Sequence, residues 1–280
     1  MQKRSFFRSR TFLIVAGALV CLIGYGYFWG LQTVFAWKFR HEAKMTPILN
    51  ETPVPLASLT ANTGNGARLV HAGLAFEVPW QDFDLANSKF TGKMARFKFQ
   101  SGRTILFFGP AKDHEDLLST LEKSTGVSRD DAERLFGADA TKTNYAFHRA
   151  MLEETPSHIS PFTPQREAIR SSMLLMIKAI ASVGGGTGLF EVQTRDWKGF
   201  QLDDPAKKPR EVTLELYDAQ DQHVEIIFSP GKEESAGLTQ ADINRVSESL
   251  QVTDDPQTIP LANAFASKTD TTKPSRSYDK

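Results

Sequence analysis

Histidine side chains are the best candidates for acid–base or metal chemistry in this 280-residue chain. The chain has six of them, namely His41, His71, His114, His148, His158 and His223. No two are spaced as the His-x-x-x-His of a helical zinc site requires. Ser157-His158 could form a hydrolase triad only with residues distant in sequence, and the Gly-x-Ser-x-Gly turn of many hydrolases does not occur. The pattern therefore predicts no catalytic residue and no metal ligand.

A glycine-rich loop, two acidic pairs and one cysteine complete the candidates for chemistry. Gly184 to Gly188 follows a predicted helix and precedes a predicted strand. Phosphate-binding loops have the opposite order, so this loop indicates a helix end. Asp203-Asp204 and Asp254-Asp255 each precede proline and indicate turns. Cys21 is the single cysteine and lies in an apolar segment, so the rest of the chain can form no disulfide and no thiolate zinc site. We predict no cofactor.

Trp80 and Trp197 are the two candidates for partner binding. Each follows a Phe-Glu-Val sequence of the kind found in strands, beginning at Phe76 and Phe190. One interpretation places both indoles in the core. The other places them, exposed, near strand ends, because tryptophan is enriched among the residues that dominate binding energy. We retain Trp80 and Trp197 as predicted partner-binding residues.

The sequence also predicts an N-terminal membrane anchor, which would hold any such site at a membrane. Residues 11–37 contain no charged side chain and follow a basic segment, residues 1–10. As a helix this run would span about 40 Å, more than the ~30 Å hydrocarbon core of a bilayer. Aromatic residues gather from Tyr25 to Trp37, which indicates that the helix leaves the hydrocarbon between Trp29 and Trp37. A cleaved signal peptide would have a shorter apolar run. We predict an uncleaved, single-pass signal anchor.

The charge pattern bears on orientation and on partners. Four Lys and Arg residues precede the anchor, whereas Lys38, Arg40 and Lys44 follow it. This small bias favours a cytoplasmic N-terminus, so the remaining chain is predicted to be extracytoplasmic, in a periplasm or on an outer face. Because no acidic residue precedes the anchor, the rest of the chain is mildly acidic. That balance argues against a nucleic-acid partner.

Beyond the anchor the sequence divides into three parts. Residues 38–68 contain Pro47, Pro53 and Pro55 without apolar periodicity, which is typical of a stalk or linker. Residues 69–253 are long enough for one α+β domain. Residues 254–280 are polar and predict a disordered tail.

Two similar halves make up the predicted domain. Each has a strand, a hairpin and a helix, at residues 73–79, 95–108 and 113–123 and again at residues 188–192, 212–228 and 239–250. Two further helices are predicted, a short one from Ser128 and a long one over 163–183. Three strands from each half would give an antiparallel sheet of about six strands, covered by helices.

Two stretches of sequence resemble the PsbP/Mog1-like family of αβα sandwiches. They are Gly73-Leu-Ala-Phe-Glu-Val-Pro79 and the closing helix with Ser247-Glu-Ser-Leu250. The family's Gly-Trp after the first strand is Pro79-Trp80 here, and residues 126–161 have no counterpart. The resemblance implies a binding or assembly module rather than an enzyme.

The favoured interpretation is a membrane-anchored, extracytoplasmic interaction or assembly module that contacts another envelope protein and has no catalytic activity. One alternative is an anchored hydrolase whose site is built from residues distant in sequence. Another is a domain that binds a small ligand or lipid in an apolar pocket beside the sheet.

Overall fold

The computed structural model describes Gly26 and residues 30–56, 66–110, 128–181, 187–207, 210–231 and 237–253. The predicted basic segment 1–10, the helix over 113–123 and the tail 254–280 lie outside these residues. So do most of the predicted anchor and residues 184–186 of the glycine-rich loop.

Six α-helices lie in the described part of the chain. They are α1 (30–45), α2 (Arg129–Phe136), α3 (Ala138–Thr141), α4 (Asn144–Glu153), α5 (Gln165–Ala181) and α6 (Gln240–Ser249). Three 3-10 turns cover Pro47–Asn50, Pro156–His158 and Pro205–Lys207. Side-chain oxygens of Ser128, Thr143 and Thr239 accept the backbone N–H three residues on, which fixes where α2, α4 and α6 begin. The predicted helices from Ser128, over 163–183 and over 239–250 are confirmed as α2, α5 and α6.

Eleven strands lie in the same residues. They are β1 (Val54–Pro55), β2 (Ala67–His71), β3 (Leu74–Val78), β4 (Lys89–Thr91), β5 (Met94–Lys98), β6 (Thr104–Phe108), β7 (Leu189–Gln193), β8 (Lys198–Leu202), β9 (Val212–Tyr217), β10 (His223–Ser229) and β11 (Gln251–Val252). Eight of them form one sheet in the order β1-β7-β8-β9-β10-β6-β5-β4. The other three form a small sheet in the order β11-β3-β2.

The α+β class is confirmed, but the strands are arranged differently from the single six-stranded sheet that the sequence predicts. Both predicted hairpins form, β5 with β6 and β9 with β10, and β10 pairs with β6 so that Ile226 lies opposite Phe107. Strand β3, in contrast, belongs to the small sheet. Ala72 and Gly73 both have positive φ and turn the chain tightly between β2 and β3. This turn pairs β3 with a strand that the sequence assigns partly to the stalk.

The chain divides into two compact units, and each is described separately. Unit 1 comprises Met1–Pro55 and Glu115–Phe190, and unit 2 comprises Leu56–His114 and Glu191–Lys280. The core of unit 2 is rich in aromatic residues. Phe76 stacks on Phe107 with ring centroids 5.4 Å apart, and the edge of Phe97 meets Phe76 at 5.7 Å. The alternating burial along β5, β6, β9 and β10 supplies the aliphatic partners of these rings.

Unit 1 is largely helical. Ala36, Phe39 and Ala43 on one face of α1 form a buried cluster with residues from three later segments, namely Leu49, Ile159, Ala168 and Leu175. Much of the segment 38–68 that the sequence assigns to a stalk is therefore packed structure. Its short elements have no visible periodicity because Pro47 ends the α-helical run and begins a 3-10 turn.

Within the described residues, no helix combines the length and hydropathy that a membrane span requires.

Candidate functional site

Helix α5 presents an apolar stripe to the outside of unit 1. Ile169, Met173, Met176 and Ile180 recur with spacings of four, three and four residues, which aligns them on one helix face. Met176 is 52% exposed and Ile180 is 66% exposed, while Ile169 and Met173 are partly exposed. The same spacing forms the contact seam of helices that pack on a partner helix. We call these four residues the α5 seam.

The opposite face of α5 is fixed by the buried ammonium group of Lys178. Its Nζ donates to the backbone carbonyl oxygens of Glu51 at 2.6 Å, Leu152 at 2.7 Å and Glu154 at 2.9 Å. Burial lowers the pKa of Lys178 to about 8, although the charges of Glu154 and Glu51 act in the other direction. Glu51 also accepts the N–H of Gly188 at 2.8 Å through its carboxylate. One lysine therefore joins α5 to the end of α4 and to the segment after α1.

Glu154 also pairs with a histidine that the sequence marked for possible catalysis. Glu154 Oε1 lies 2.8 Å from His158 Nδ1, and the carboxylate side chain is 8% exposed whereas the imidazole is 56% exposed. A buried carboxylate on one ring nitrogen leaves the other facing outward, as in an acid–base pair. The Ser157 hydroxyl lies 2.6 Å from Thr155 Oγ1 instead of serving this histidine. The Glu154 carboxylate thus orients the His158 imidazole, and the neighbouring Ser157 hydroxyl contacts Thr155 rather than the imidazole.

After His158 the chain forms a turn over residues 160–163 with an aromatic tip. Phe162 is 76% exposed. Ile159, just before the turn, is fully buried in the cluster with Ala36 and Phe39 of α1. The turn therefore projects from a firmly packed base.

The outer face of α1 is also apolar. Val34 is 58% exposed and Trp37 is 70% exposed, and Met45 at the end of the helix is exposed as well. The ring of His41 stacks on Trp37 with centroids 5.8 Å apart and planes 8° from parallel. These side chains lie opposite the face through which α1 packs.

Both tryptophans predicted to bind a partner are buried in unit 2. Trp80 is 8% exposed, meets the edge of Phe99 at 5.0 Å and has the Arg103 guanidinium 5.1 Å from its ring centroid. Trp197 is 2% exposed and donates from Nε1 to the Leu250 carbonyl at 3.1 Å. The burial matches the core interpretation of these residues. Most of the exposed large apolar residues in the described part of the chain lie instead on α1, on α5 and in the 160–163 turn.

Strands β9 and β10 carry a cluster of ionisable groups. His223 Nε2 bonds the carboxylate of Glu215, and its ring stacks on Tyr217 with centroids 4.9 Å apart. Glu225 lies opposite Glu215 in the strand register. Burial, together with the charge of Glu215, raises the pKa of Glu225 to about 7. Burial lowers the pKa of His223, but its bond with Glu215 and the surrounding carboxylates outweigh this and raise it. The cluster thus places one histidine and two carboxylates on adjacent strands of the sheet.

Two other described histidines, His71 and His148, are buried in the packed structure. His71 is 2% exposed and lies about 6 Å from the rings of Phe90 and Phe107. Burial lowers its pKa, with partial compensation from backbone groups of Lys93 and Met94. His148 is buried within α4. The structure thus brings no two of the predicted histidine candidates together among these residues.

A groove of about 290 Å³ lies next to the small sheet in unit 2. Its walls are mostly charged or polar, with Arg68, Glu77, Arg195, Asp196 and Glu248 among them. Glu77 is engaged by Arg245 at 3.0 Å. A site for an apolar ligand would have the opposite lining.

The described residues contain no group of three or more His, Cys, Asp or Glu side chains that could hold a metal ion. A scan against models of protein families found no match, and a search of curated proteins found none either.

Proposed function

We propose that this chain is a single-pass, membrane-anchored interaction or assembly module that binds another envelope protein on the extracytoplasmic side. The α5 seam is the observation that carries the proposal. Exposed methionine and isoleucine side chains on one helix face lower the solubility of a helix that has no partner. A partner helix can bury these side chains. The uncharged run over residues 11–37 supports the membrane anchor.

The seam is also well suited to a partner because its position is fixed. Lys178 holds the opposite face of α5 through three carbonyl oxygens, and Ala168 and Leu175 pack in the cluster with α1. A rigid helix loses little conformational entropy when a partner binds. Methionine adds a flexible side chain that adapts to different contact surfaces.

Substitution of the exposed seam residues tests the proposal. We expect the double variant Met176→Glu, Ile180→Glu to lose its partner in a mild-detergent purification of tagged protein followed by mass spectrometry. A photo-reactive amino acid at Met176 should cross-link to that same partner in cells. The double variant Leu85→Glu, Met94→Glu is the matched control, because it places the same two charges at apolar residues of unit 2 that are 49% and 39% exposed. Equal recovery of the partner by both variants would contradict the assignment of the seam.

Orientation needs a separate measurement. A reporter that is active only outside the cytoplasm, fused to the C-terminus, should be active if the chain lies on the extracytoplasmic side. Activity of a cytoplasmic reporter at the same position would reverse the proposed orientation without affecting the seam.

A further inference from the structure

Phe162 lies at the tip of a turn whose backbone N–H groups are all satisfied within the turn. Thr163 donates to the Ser160 carbonyl at 3.2 Å, and Phe162 donates to Ser160 Oγ at 3.2 Å. Ser160 in turn donates to Thr163 Oγ1 at 2.9 Å. Pro161, the remaining residue, has no N–H. The turn therefore needs no water for its donors.

Such a turn suits an environment that is poor in water. A loop in bulk solvent gains little from internal pairing of its amides, because water satisfies them equally well. Beneath the hydrated headgroups, where water is scarce, an unsatisfied N–H is costly, and phenylalanine is among the side chains that bury at the boundary between headgroups and acyl chains. Phe162, 76% exposed, has the side chain and the backbone for that boundary.

The turn is also attached close to the predicted anchor. Ile159 packs in the cluster with Ala36, and Arg40 Nη2 lies 3.5 Å from the Ile159 carbonyl oxygen. Ala36 is six residues beyond Gly30, where α1 begins, or about 9 Å along the helix. The base of the turn is thus held beside the end of α1 that follows the predicted anchor.

Charge near the turn is compatible with a phospholipid surface. Lys38, Arg40 and Lys44 are exposed on α1, and Glu42 is the one acidic residue between them. Basic residues beside a membrane are attracted to anionic headgroups. Trp37, exposed on the same helix, is of the type that anchors a chain at the interface.

We infer that the 160–163 turn inserts Phe162 into the headgroup layer of the phospholipid bilayer that holds the N-terminal segment, so that unit 1 rests on the membrane surface. The inference depends on the proposed membrane anchor. It assigns to the turn a ligand, the lipid interface, that differs from the protein partner of the α5 seam.

A single spin label measures this contact directly, since Cys21 is the chain's only cysteine. The full chain carrying Cys21→Ser and Phe162→Cys is labelled with a nitroxide and reconstituted into phosphatidylcholine vesicles with one-fifth phosphatidylglycerol. Collision rates with oxygen and with a water-soluble nickel chelate then report the depth of the label. Asp139→Cys in the same background is the control, because Asp139 is exposed in the short helix α3. We expect the nickel collision rate at position 162 to be at least several-fold lower than at position 139, with oxygen collisions retained.

Three other outcomes would overturn the inference, and they differ in what they say about the anchor. Equal nickel collision rates at both positions, in protein that floats with the vesicles, would place Phe162 in water and leave the anchor intact. Low collision rates with both reagents at position 162 would place Phe162 in a protein contact, such as a second copy. Failure of the protein to float with the vesicles would overturn the membrane anchor and the inference together.

Discussion

Units 1 and 2 differ in where their large apolar side chains lie. Eleven large hydrophobic residues are exposed in the described part of the chain; eight belong to unit 1 and three to unit 2. Unit 2 instead places most of its described phenylalanines and both of its tryptophans in or against one core. Unit 1 also has a buried lysine that satisfies three backbone carbonyls, a polar arrangement inside its helical packing. The exposed surface of a small helical unit is thus the region where contacts with other molecules are expected.

Unit 2 has the features of a stable scaffold, with alternating strands and edge-to-face aromatic pairs. Unit 1 is held by its own apolar cluster and by the Lys178 contacts, and it still leaves apolar side chains of α1 and α5 exposed. The following predictions test that contrast, in order of decreasing effect.

Replacement of Lys178 should have the largest effect on unit 1. Lys178→Ala removes the donor for the carbonyls of Glu51, Leu152 and Glu154 and leaves a cavity. Each buried backbone carbonyl left without a donor costs about 1–3 kcal/mol. Hydrogen exchange followed by mass spectrometry should show faster exchange in peptides of α4 and α5. Lys142→Ala, at an exposed position, should leave exchange unchanged. An Lys178→Met variant with normal exchange would show that apolar packing alone holds unit 1, as it does unit 2.

Gly199→Ala should have the next largest effect, and on unit 2. A Cβ at Gly199 would overlap the backbone carbonyl of Glu215 on β9, so the central strands would have to separate. Overpacking of this kind costs about 1–3 kcal/mol. Tryptophan emission in a Trp29→Phe, Trp37→Phe background reports unit 2 unfolding, because Trp80 and Trp197 are in its core. Gly30→Ala is the control, since a Cβ there meets open space. Similar denaturation midpoints for both variants would contradict the close packing of β8 on β9.

Much of the fold follows from local sequence signals. The hairpins β5–β6 and β9–β10 have alternating apolar residues, and α2 and α6 begin at capping side chains, so all four could be predicted. The assignment of β3 to a second sheet could not. Phe76-Glu77-Val78 and Phe190-Glu191-Val192 are identical as sequence, and only pairing with β2 separates their positions. The pairing of strands that are distant in sequence depends on tertiary structure, and local sequence patterns do not specify it.

The candidate sites were harder to predict for a related reason. Trp80 and Trp197 are predicted to bind a partner because of their residue type. Their location in the core depends on the packing of the whole sheet. The α5 seam has a visible spacing in the sequence, but α5 also contains Leu174 and Leu175, which are buried. Which apolar face of a helix is covered is decided by its neighbours. For α5 this means the Lys178 contacts and the cluster with α1, both formed by residues distant in sequence.

His71 should contribute a loss of stability to unit 2 in acid, and the raised pKa values of Glu225 and His223 should act in the opposite direction. Burial holds the pKa of His71 below its ordinary value of 6.5, so below that pH the unfolded chain binds a proton that the folded chain does not. The free energy of unfolding then decreases as pH falls, by at most about 1.4 kcal/mol per pH unit for one proton. His71→Phe, placed among Phe90, Phe97 and Phe107, should reduce this dependence between pH 7.5 and pH 5.5. The measurement is thermal unfolding followed by tryptophan emission. An unchanged pH dependence would show that His71 does not contribute to it. The β9–β10 cluster is not an alternative source of the loss, because the raised pKa values of Glu225 and His223 stabilise the fold as pH falls.

Among these substitutions, a change at Ile180 should have the smallest effect on stability. Comparison of Ile180 with a buried isoleucine of unit 2 separates the two units most clearly. Ile180 is 66% exposed, whereas Ile226 of unit 2 is fully buried. Ile180→Glu should change the free energy of unfolding by no more than about 0.5 kcal/mol, as is usual for surface positions. The same change at Ile226 buries a charge in an aromatic core and should prevent unit 2 from folding. Hydrogen exchange resolved by unit measures both. If Ile180→Glu destabilised unit 1 strongly, the α5 seam would be part of the fold. A stable variant that loses its partner would instead show that the chain keeps an apolar face exposed for binding, with no contribution to its own stability.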